Sequence, residues 1–231
     1  YLLRKGVAAV PTLREIEASA AAVILGYAPK ASGDQLTGRL LVAPVKVGDA
    51  LSTLELIDGD GRKSAIAGGR KAGGFWAAQP LPEGQGDGLT LQYGEGVATT
   101  LSAKEANGRI SIAALSAGNL SAVAKAMRHR YPAALHVILA DLVKTAGAPD
   151  PHAIDAAQAV GGCVAIPDFG TDRPAGAKDF NDMHQLCGLE AVTRAIANAS
   201  APATPQDHPD ADNAIAGPFA ENSWTAPQPL A

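Results

Sequence analysis

Between residues 89 and 198, apolar runs of strand length alternate with segments of helical spacing, and no other feature of the chain constrains its fold as tightly. The spacing predicts strands at 89–94, 110–115, 135–140 and 162–166, and helices at 97–106, 119–130, 152–160 and 188–198. Apolar strands separated by helices pack as a parallel sheet with helices on its faces, joined by right-handed crossovers. At 89–101 the pattern is sharpest. Leu89, Leu91 and Tyr93 alternate with polar residues up to Gly94-Glu95-Gly96, after which Val97, Ala98 and Leu101 take helical spacing. One carboxylate therefore sits at a strand-to-helix turn, where open α/β sheets bind ligands.

Upstream the period differs. Leu2, Leu3 and Val7, and past Pro11 the residues Leu13, Ile16, Ala20, Val23 and Ile24, recur at helical spacing, which predicts helix over 1–26 with a break at the proline. Residues 39–45 and 51–57 read as strands of a hairpin turning at Val47-Gly48-Asp49. The turn Asp58-Gly59-Asp60-Gly61 then leads to a short strand at 62–66. The fold class is α/β: a parallel sheet flanked by helices, preceded by a small α+β subdomain with an antiparallel β meander. The Pro/Gly-rich loop 80–88 marks the boundary, giving units 1–88 and 89–199. Residues 200–231 are Ala/Pro-rich and read as a linker or tail. At 231 residues, 47% of them hydrophobic, the chain has material for one large domain or two small ones with their own cores. Its first residue is Tyr1 rather than Met, as expected of a fragment.

Charge excludes a globally basic nucleic-acid binder. The formal net charge is -4, and the excess acid lies in Asp207, Asp210, Asp212 and Glu221. Binding to a polyanion would then rest on local patches. Cys163 and Cys187 lack CxxC spacing and read as buried reduced thiols, which fits a cytoplasmic protein. The longest weakly polar run, 18–28, is too short to span a bilayer, so no membrane association is expected.

Three stretches carry chemistry. Glycines on either side of Glu95 would let a phosphate or metal approach the backbone, although a glutamate there could equally be a solvated acid complementing the helix dipole. The strand at 135–140 ends in Asp141, at the same sheet edge as Glu95. Two such carboxylates suit Mg²⁺ (or Mn²⁺), while Asp141 alone could be a helix cap. In Lys178-Asp179-Phe180-Asn181-Asp182-Met183-His184, acids, an amide and a histidine crowd one turn that could also be a capped helix start, with Asn181 or Asp182 as cap. The segment Gly68-Gly69-Arg70-Lys71-Ala72-Gly73-Gly74-Phe75-Trp76 reads as a phosphate-contacting loop or as a turn with its aromatics in the core, and Arg62 and Lys63 add positive charge.

Taken in order, these stretches resemble the Toprim domain of plasmid- and phage-type DNA primases, in particular those fused to a helicase. The resemblance rests on residues 93–99 as a glutamate motif, Ala117-Gly118-Asn119-Leu120, residues 137–141 as an aspartate motif, and Lys178-Asp179-Phe180-Asn181-Asp182. Upstream, 38–45, 54–63 and 68–73 resemble the β subdomain preceding it. The likeness implies RNA primer synthesis from ribonucleoside triphosphates on a single-stranded DNA template. Glu95 would act as general acid/base or metal ligand, and Asp141 would hold Mg²⁺. Asp179 and Asp182 are further candidate ligands, and Arg62, Lys63, Arg70, Lys71, Lys178 and Asn181 candidate contacts to template or nucleotide. Residues 224–230 resemble the junction to a C-terminal helicase-like domain, and no Walker A loop is present. The zinc-binding segment that usually precedes this region in primases is not in the sequence.

One departure stands out. Where the family carries Asp-x-Asp, this chain reads Asp141-Leu142-Val143, so the second metal-binding carboxylate is absent. The competing expectation is a catalytically degenerate nucleic-acid-binding module. A Toprim nuclease or topoisomerase is disfavoured, because no domain carrying a nucleophilic tyrosine is visible.

Overall fold

The computed structural model describes residues 1–143 and 147–202. The chain opens with α1 (Leu2–Lys5), β1 (Arg14–Glu17), α2 (Ala18–Leu25) and a minimal hairpin of β2 (Lys30–Ala31) and β3 (Asp34–Gln35). Then β4 (Arg39–Val47), β5 (Ala50–Ile57) and β6 (Lys63–Ala65) form the expected antiparallel meander, in the sheet order β1-β4-β5-β6. The β4–β5 hairpin turns where Gly48 takes φ 60, a left-handed conformation that costs glycine little.

Residues 14–17 depart from the helix expected over 1–26. They pair with β4 from Arg14↔Val42 to Glu17↔Arg39, and Arg39 bridges to both Glu15 and Glu17. A four-residue Arg-Glu-Ile-Glu run has no strong preference of its own, so the exposed edge of β4 decides its conformation.

The second sheet comprises β7 (Trp76–Ala77), β8 (Thr90–Gly94), β9 (Ile110–Ala113), β10 (Leu135–Leu139) and β11 (Cys163–Ala165), in the order β11-β10-β8-β9-β7. Strands β8 to β11 are parallel and β7 runs antiparallel to β9. The helices are α3 (Val97–Asn107), α4 (Leu120–Arg130, entered through a 3-10 turn at Ala117–Asn119), α5 (Pro151–Val160), α6 (Phe180–Cys187) and α7 (Leu189–Ala197). The helices cover both faces. Met127 of α4 and Val160 of α5 pack with Tyr93 and Ile138, whereas Phe180 of α6 and Val192 of α7 pack with Val137 and Leu139.

Trp76 and Ala77, which precede the 80–88 loop, belong to this second sheet. Phe75 and Trp76 are each 2% exposed, so the aromatics ending the Gly-rich segment are core residues. Ala43, Val45 and Ile57 of the meander share a core cluster with Trp76, Val97, Leu101 and Ala113. Backbone bonds between Lys46 and Phe75 (2.8 and 2.9 Å) stitch the sheets together. Cys163 is half-buried and Cys187 exposed, both free, rather than the buried pair expected. No helix among the described residues is long and apolar enough to cross a membrane. The 224–230 stretch and nearly all of the tail lie outside the described residues.

Candidate functional site

Strands β8 and β10 are adjacent and parallel, with Tyr93 opposite Ile138. Glu95 and Asp141 follow within three residues of that pair, so both leave the sheet at its carboxyl edge. They line one cavity of about 240 Å³, together with Lys63, Lys178 and Asp179. Tyr1, Arg4, Lys5 and Asp60 complete its charged wall, and none of these four was a sequence candidate.

Gly94 is fixed by packing. A Cβ there would lie 2.9 Å from Thr100 Oγ1 and 3.0 Å from Thr99 Cγ2, so the strand end presses directly onto the first turn of α3. Gly96 is the N-cap of that helix, and a Cβ on it would come 3.5 Å from Lys63 Nζ. Ala98 and Thr99, at the start of the same eleven-residue helix, also line the cavity. The helix dipole therefore adds to the lysine at a place where an anion would sit.

Asp141 is 8% exposed. Its Oδ2 accepts a 2.6 Å hydrogen bond from Lys178 Nζ, while Oδ1 is buried without a partner. Burial raises the Asp141 carboxyl above the ordinary aspartate range; Lys178 pulls it back, and the charges of Glu95 and Asp150 push it further up. For Lys178, burial opposes the charged form, but the bond to Asp141 and the charges of Asp141, Glu95 and Asp179 outweigh it and hold the ammonium above its usual value.

Asp179 and Asp182 are engaged by the backbone. Asp179 is the N-cap of α6, its Oδ1 accepting the N–H groups of Asn181 and Asp182, both at 2.8 Å. Asp182 accepts in return from Asp179 N and from Lys178 N (2.9 Å), a reciprocal capping box. The cap is thus Asp179, not Asn181 or Asp182. Burial, then the neighbouring Asp182 and Asp141 charges, raise the Asp179 carboxyl despite its backbone bonds. Among the described residues no three His, Cys, Asp or Glu side chains group as a metal cage. Mg²⁺ needs only one or two carboxylates when substrate phosphates complete its shell, and the orphan Oδ1 of Asp141 beside Glu95 fits that smaller demand.

Asn181, expected to contact nucleotide, is fully buried and presents no surface to a ligand. Its amide donates to Lys5 O (2.7 Å) and Ser102 Oγ (3.1 Å), tying α1 to α6. Arg4 Nε donates to Gly59 O (2.8 Å), so α1 is held at both ends of the cavity wall. Tyr1 lies within this wall, and burial, reinforced by the charges of Asp179 and Glu55, pushes its hydroxyl up to about 12.

The other basic candidates divide. Arg62 is held by the buried Asp58, at 2.7 Å from Nε to Oδ2, and lies 3.6 Å from Asp60. Lys71 pairs at 3.1 Å with Glu55, which is fully buried. Arg70 is exposed, its backbone clasped by Ser52 Oγ. Asn119 pins this loop, accepting from Gly73 N (2.7 Å) and donating to Gly74 O and Ala114 O (both 2.8 Å). Of the four cations expected to follow a polyanion, Lys63 alone lines the cavity.

No protein-family model matches the chain. Over 134 residues it is 33% identical to DNA primase TraC of Escherichia coli, a match covering 55% of this chain and 12% of that protein. A second DNA primase TraC of Escherichia coli is 37% identical over 127 residues, covering 51% and 8%. The chain thus matches about a tenth of the length of these relatives. The fold is similar to the primase fragment of the bacteriophage T7 primase-helicase protein, with a TM-score of 0.51 and 14% identity over 83% of this chain and 80% of that one. It is also similar to the Aquifex aeolicus primase (zinc-binding and RNA polymerase domains), with a TM-score of 0.57 and 16% identity over 87% of this chain and 55% of that one. In sequence the chain is similar to a part of DNA primase TraC, and in fold to primase fragments from a phage and a bacterium.

Proposed function

We propose that this chain is the Toprim-type core of a DNA primase from a plasmid or phage-like replication protein, joining ribonucleotides into a primer on single-stranded DNA. The observation that carries the reading is the meeting of Glu95 and Asp141, from adjacent parallel strands, in one cavity walled by Lys63 and Lys178. Glu95 and Asp141 would hold Mg²⁺ or Mn²⁺, and the ion, when bound, would supply charge neutralisation for the triphosphate. Lys63 and the N-terminus of α3 would orient the nucleotide phosphates. Glu95 would take the proton from the attacking hydroxyl. Arg70, exposed on its pinned loop, would contact the template backbone. A helicase-like motor beyond residue 231 completes the proposal, resting on the 224–230 stretch. Ribonucleotide incorporation on single-stranded DNA in the presence of Mg²⁺ or Mn²⁺ tests it. Glu95→Gln is expected to abolish incorporation, and unchanged synthesis would remove Glu95 from the mechanism.

A second reading has its own support. Lys178 already neutralises Asp141 at 2.6 Å, and Val143, where the family has an acid, is a 36% exposed hydrocarbon. A module of this kind would bind single-stranded DNA in a salt-sensitive manner without synthesis.

A further inference from the structure

The face of the meander turned away from the second sheet is only partly covered. Val42 and Leu56 pack there with Ala21 of α2. Between that helix and the sheet an apolar groove of about 350 Å³ stays open, lined by Ile16, Ile24, Leu25, Pro44, Leu54 and Ile66. Helix α2 carries no charged side chain, and its Val23 and Ile24 are 83% and 74% exposed. Exposed hydrocarbon continuous with an apolar groove marks an interaction surface. Arg14 and Glu15 supply charge to the groove wall. Glu15 is paired with Arg39. Arg14 has no carboxylate partner among the described residues, and its Nη1 is held by the carbonyl of Leu13 (2.7 Å).

The chain itself contains an occupant of matching chemistry. Residues 203–231, outside the described residues, include Phe219 and Trp224 together with Asp207, Asp210, Asp212 and Glu221, and no Lys or Arg. Charge decides where such a segment is drawn. Residues 1–71, which form the groove, carry ten Lys/Arg against seven Asp/Glu, whereas residues 72–202 carry nine against twelve. The anionic segment is therefore repelled by the unit it leaves and attracted to the unit bearing the groove. Its length suffices. Trp224 lies 22 residues beyond Pro202, a reach of up to about 70 Å, while a folded unit of about 200 residues is roughly 40 Å across. Glu221 stands between the two aromatic residues, so rings laid on the groove bring its carboxylate toward the unpaired Arg14. We propose that residues 219–224 fold back onto their own chain and dock in this groove, the rings against Ile24, Leu54 and Ile66 and Glu221 toward Arg14. The proposal does not rest on the primase reading, because the groove shares no residue with the cavity holding Glu95 and Asp141.

The chain has two tryptophans and Trp76 is 2% exposed, so acrylamide quenching of the full chain, referenced to Trp224→Phe, reports Trp224. Trp224 is expected to be shielded, and to lose that shielding when Val23→Asp and Ile24→Asp place charge on the groove rim. Continued shielding of Trp76 shows that those substitutions leave the fold intact. Leu135→Asp, at a 68% exposed position of the second sheet, is expected to leave Trp224 shielded. A second measurement alters no described residue. Phe219→Ala with Trp224→Ala is expected to speed backbone hydrogen exchange at residues 21–25, because it uncovers α2. The proposal is overturned if Trp224 is freely quenched in the unsubstituted chain, or stays shielded with the two aspartates in place. Unchanged exchange in α2 also overturns it. So does shielding that disappears on dilution, which would make the occupant a second copy.

Discussion

Replacing Lys178 by methionine removes the only hydrogen-bond donor to the Asp141 carboxylate among the described residues. The carboxylate left behind is 8% exposed, and its second oxygen is already unpaired. Removing one partner of a fully buried ion pair costs about 3–5 kcal/mol. The Lys178 side chain is 34% exposed, so water reaches this pair and about 2 kcal/mol is the better figure. For a folded unit of this size that corresponds to roughly 4–8 °C in Tm. Asp141→Asn costs less, about 1 kcal/mol or below, because the half-buried lysine can turn its charge to solvent. Asp141→Asn with Lys178→Met is therefore expected to be more stable than Lys178→Met alone, with a coupling of about 1–2 kcal/mol. Urea denaturation at pH 7 in EDTA measures all four corners of the cycle. If Lys178→Met costs no more than Asp141→Asn, or the two effects simply add, the ammonium is not what stabilises the carboxylate. Adding Mg²⁺ then separates structure from function. An ion that takes the place of the ammonium stabilises Lys178→Met more than the unsubstituted chain, whereas equal or absent stabilisation would mean that Asp141 serves the fold alone.

Three other outcomes are expected. Because burial raises the folded Asp141 pKa above 3.8, the folded state binds that proton more tightly than the unfolded chain does. The penalty for the buried charge is complete above the folded value and is relieved as pH falls toward 3.8, so the unsubstituted chain gains stability relative to Asp141→Asn in metal-free denaturation from pH 7 to 4; a loss would invert the assignment. Gly94→Ala forces a Cβ to 2.9 Å from Thr100 Oγ1 and is expected to cost about 1–3 kcal/mol in urea, and a change within about 0.5 kcal/mol would mean the turn yields freely. Asn181→Ala deletes the bonds to Lys5 O and Ser102 Oγ and is expected to speed backbone hydrogen exchange at Lys5 and Val7, whose N–H groups bond within the first turn. Exchange there at the original rate would show that α1 is held by its other contacts.

The parallel sheet was legible because its strands and helices carry full-length apolar periods, and β8, β9, β10 and β11 fall inside the predicted segments. The elements without a sequence signal are short or decided at a distance. β1 is four residues that take their conformation from the neighbouring strand, and β7 is two residues at the end of a glycine-rich loop. The capping box was visible as acids three residues apart before an apolar run, yet the pattern does not say which acid caps, and Asp179 does. Arg62 lies four residues from Asp58, so their pairing is local, yet a cation beside a turn carboxylate reads in sequence equally as a phosphate contact. Lys178 on Asp141 spans 37 residues and Asn181 on Lys5 spans 176, and no periodicity encodes either. The same holds for Tyr1, Arg4, Lys5 and Asp60, which join the cavity only because α1 and the meander turn fold over it.

The charge around that cavity bears on the choice between the two readings proposed for this chain, a working and a degenerate primase core. Arg4, Lys5, Lys63 and Lys178 face Asp60, Glu95, Asp141 and Asp179, so the wall is formally neutral. A neutral wall has no net attraction for a triphosphate, and two of its charges are already committed to each other. Lys178 is spent on Asp141, and Asp179 on the backbone of α6. A divalent ion would change this balance in two ways, by adding positive charge and by displacing Lys178 toward the phosphates. On the proposed catalytic reading, synthesis hinges on whether substrate phosphates, Asp141 and Glu95 together bind the ion more tightly than Asp141 binds its resident lysine.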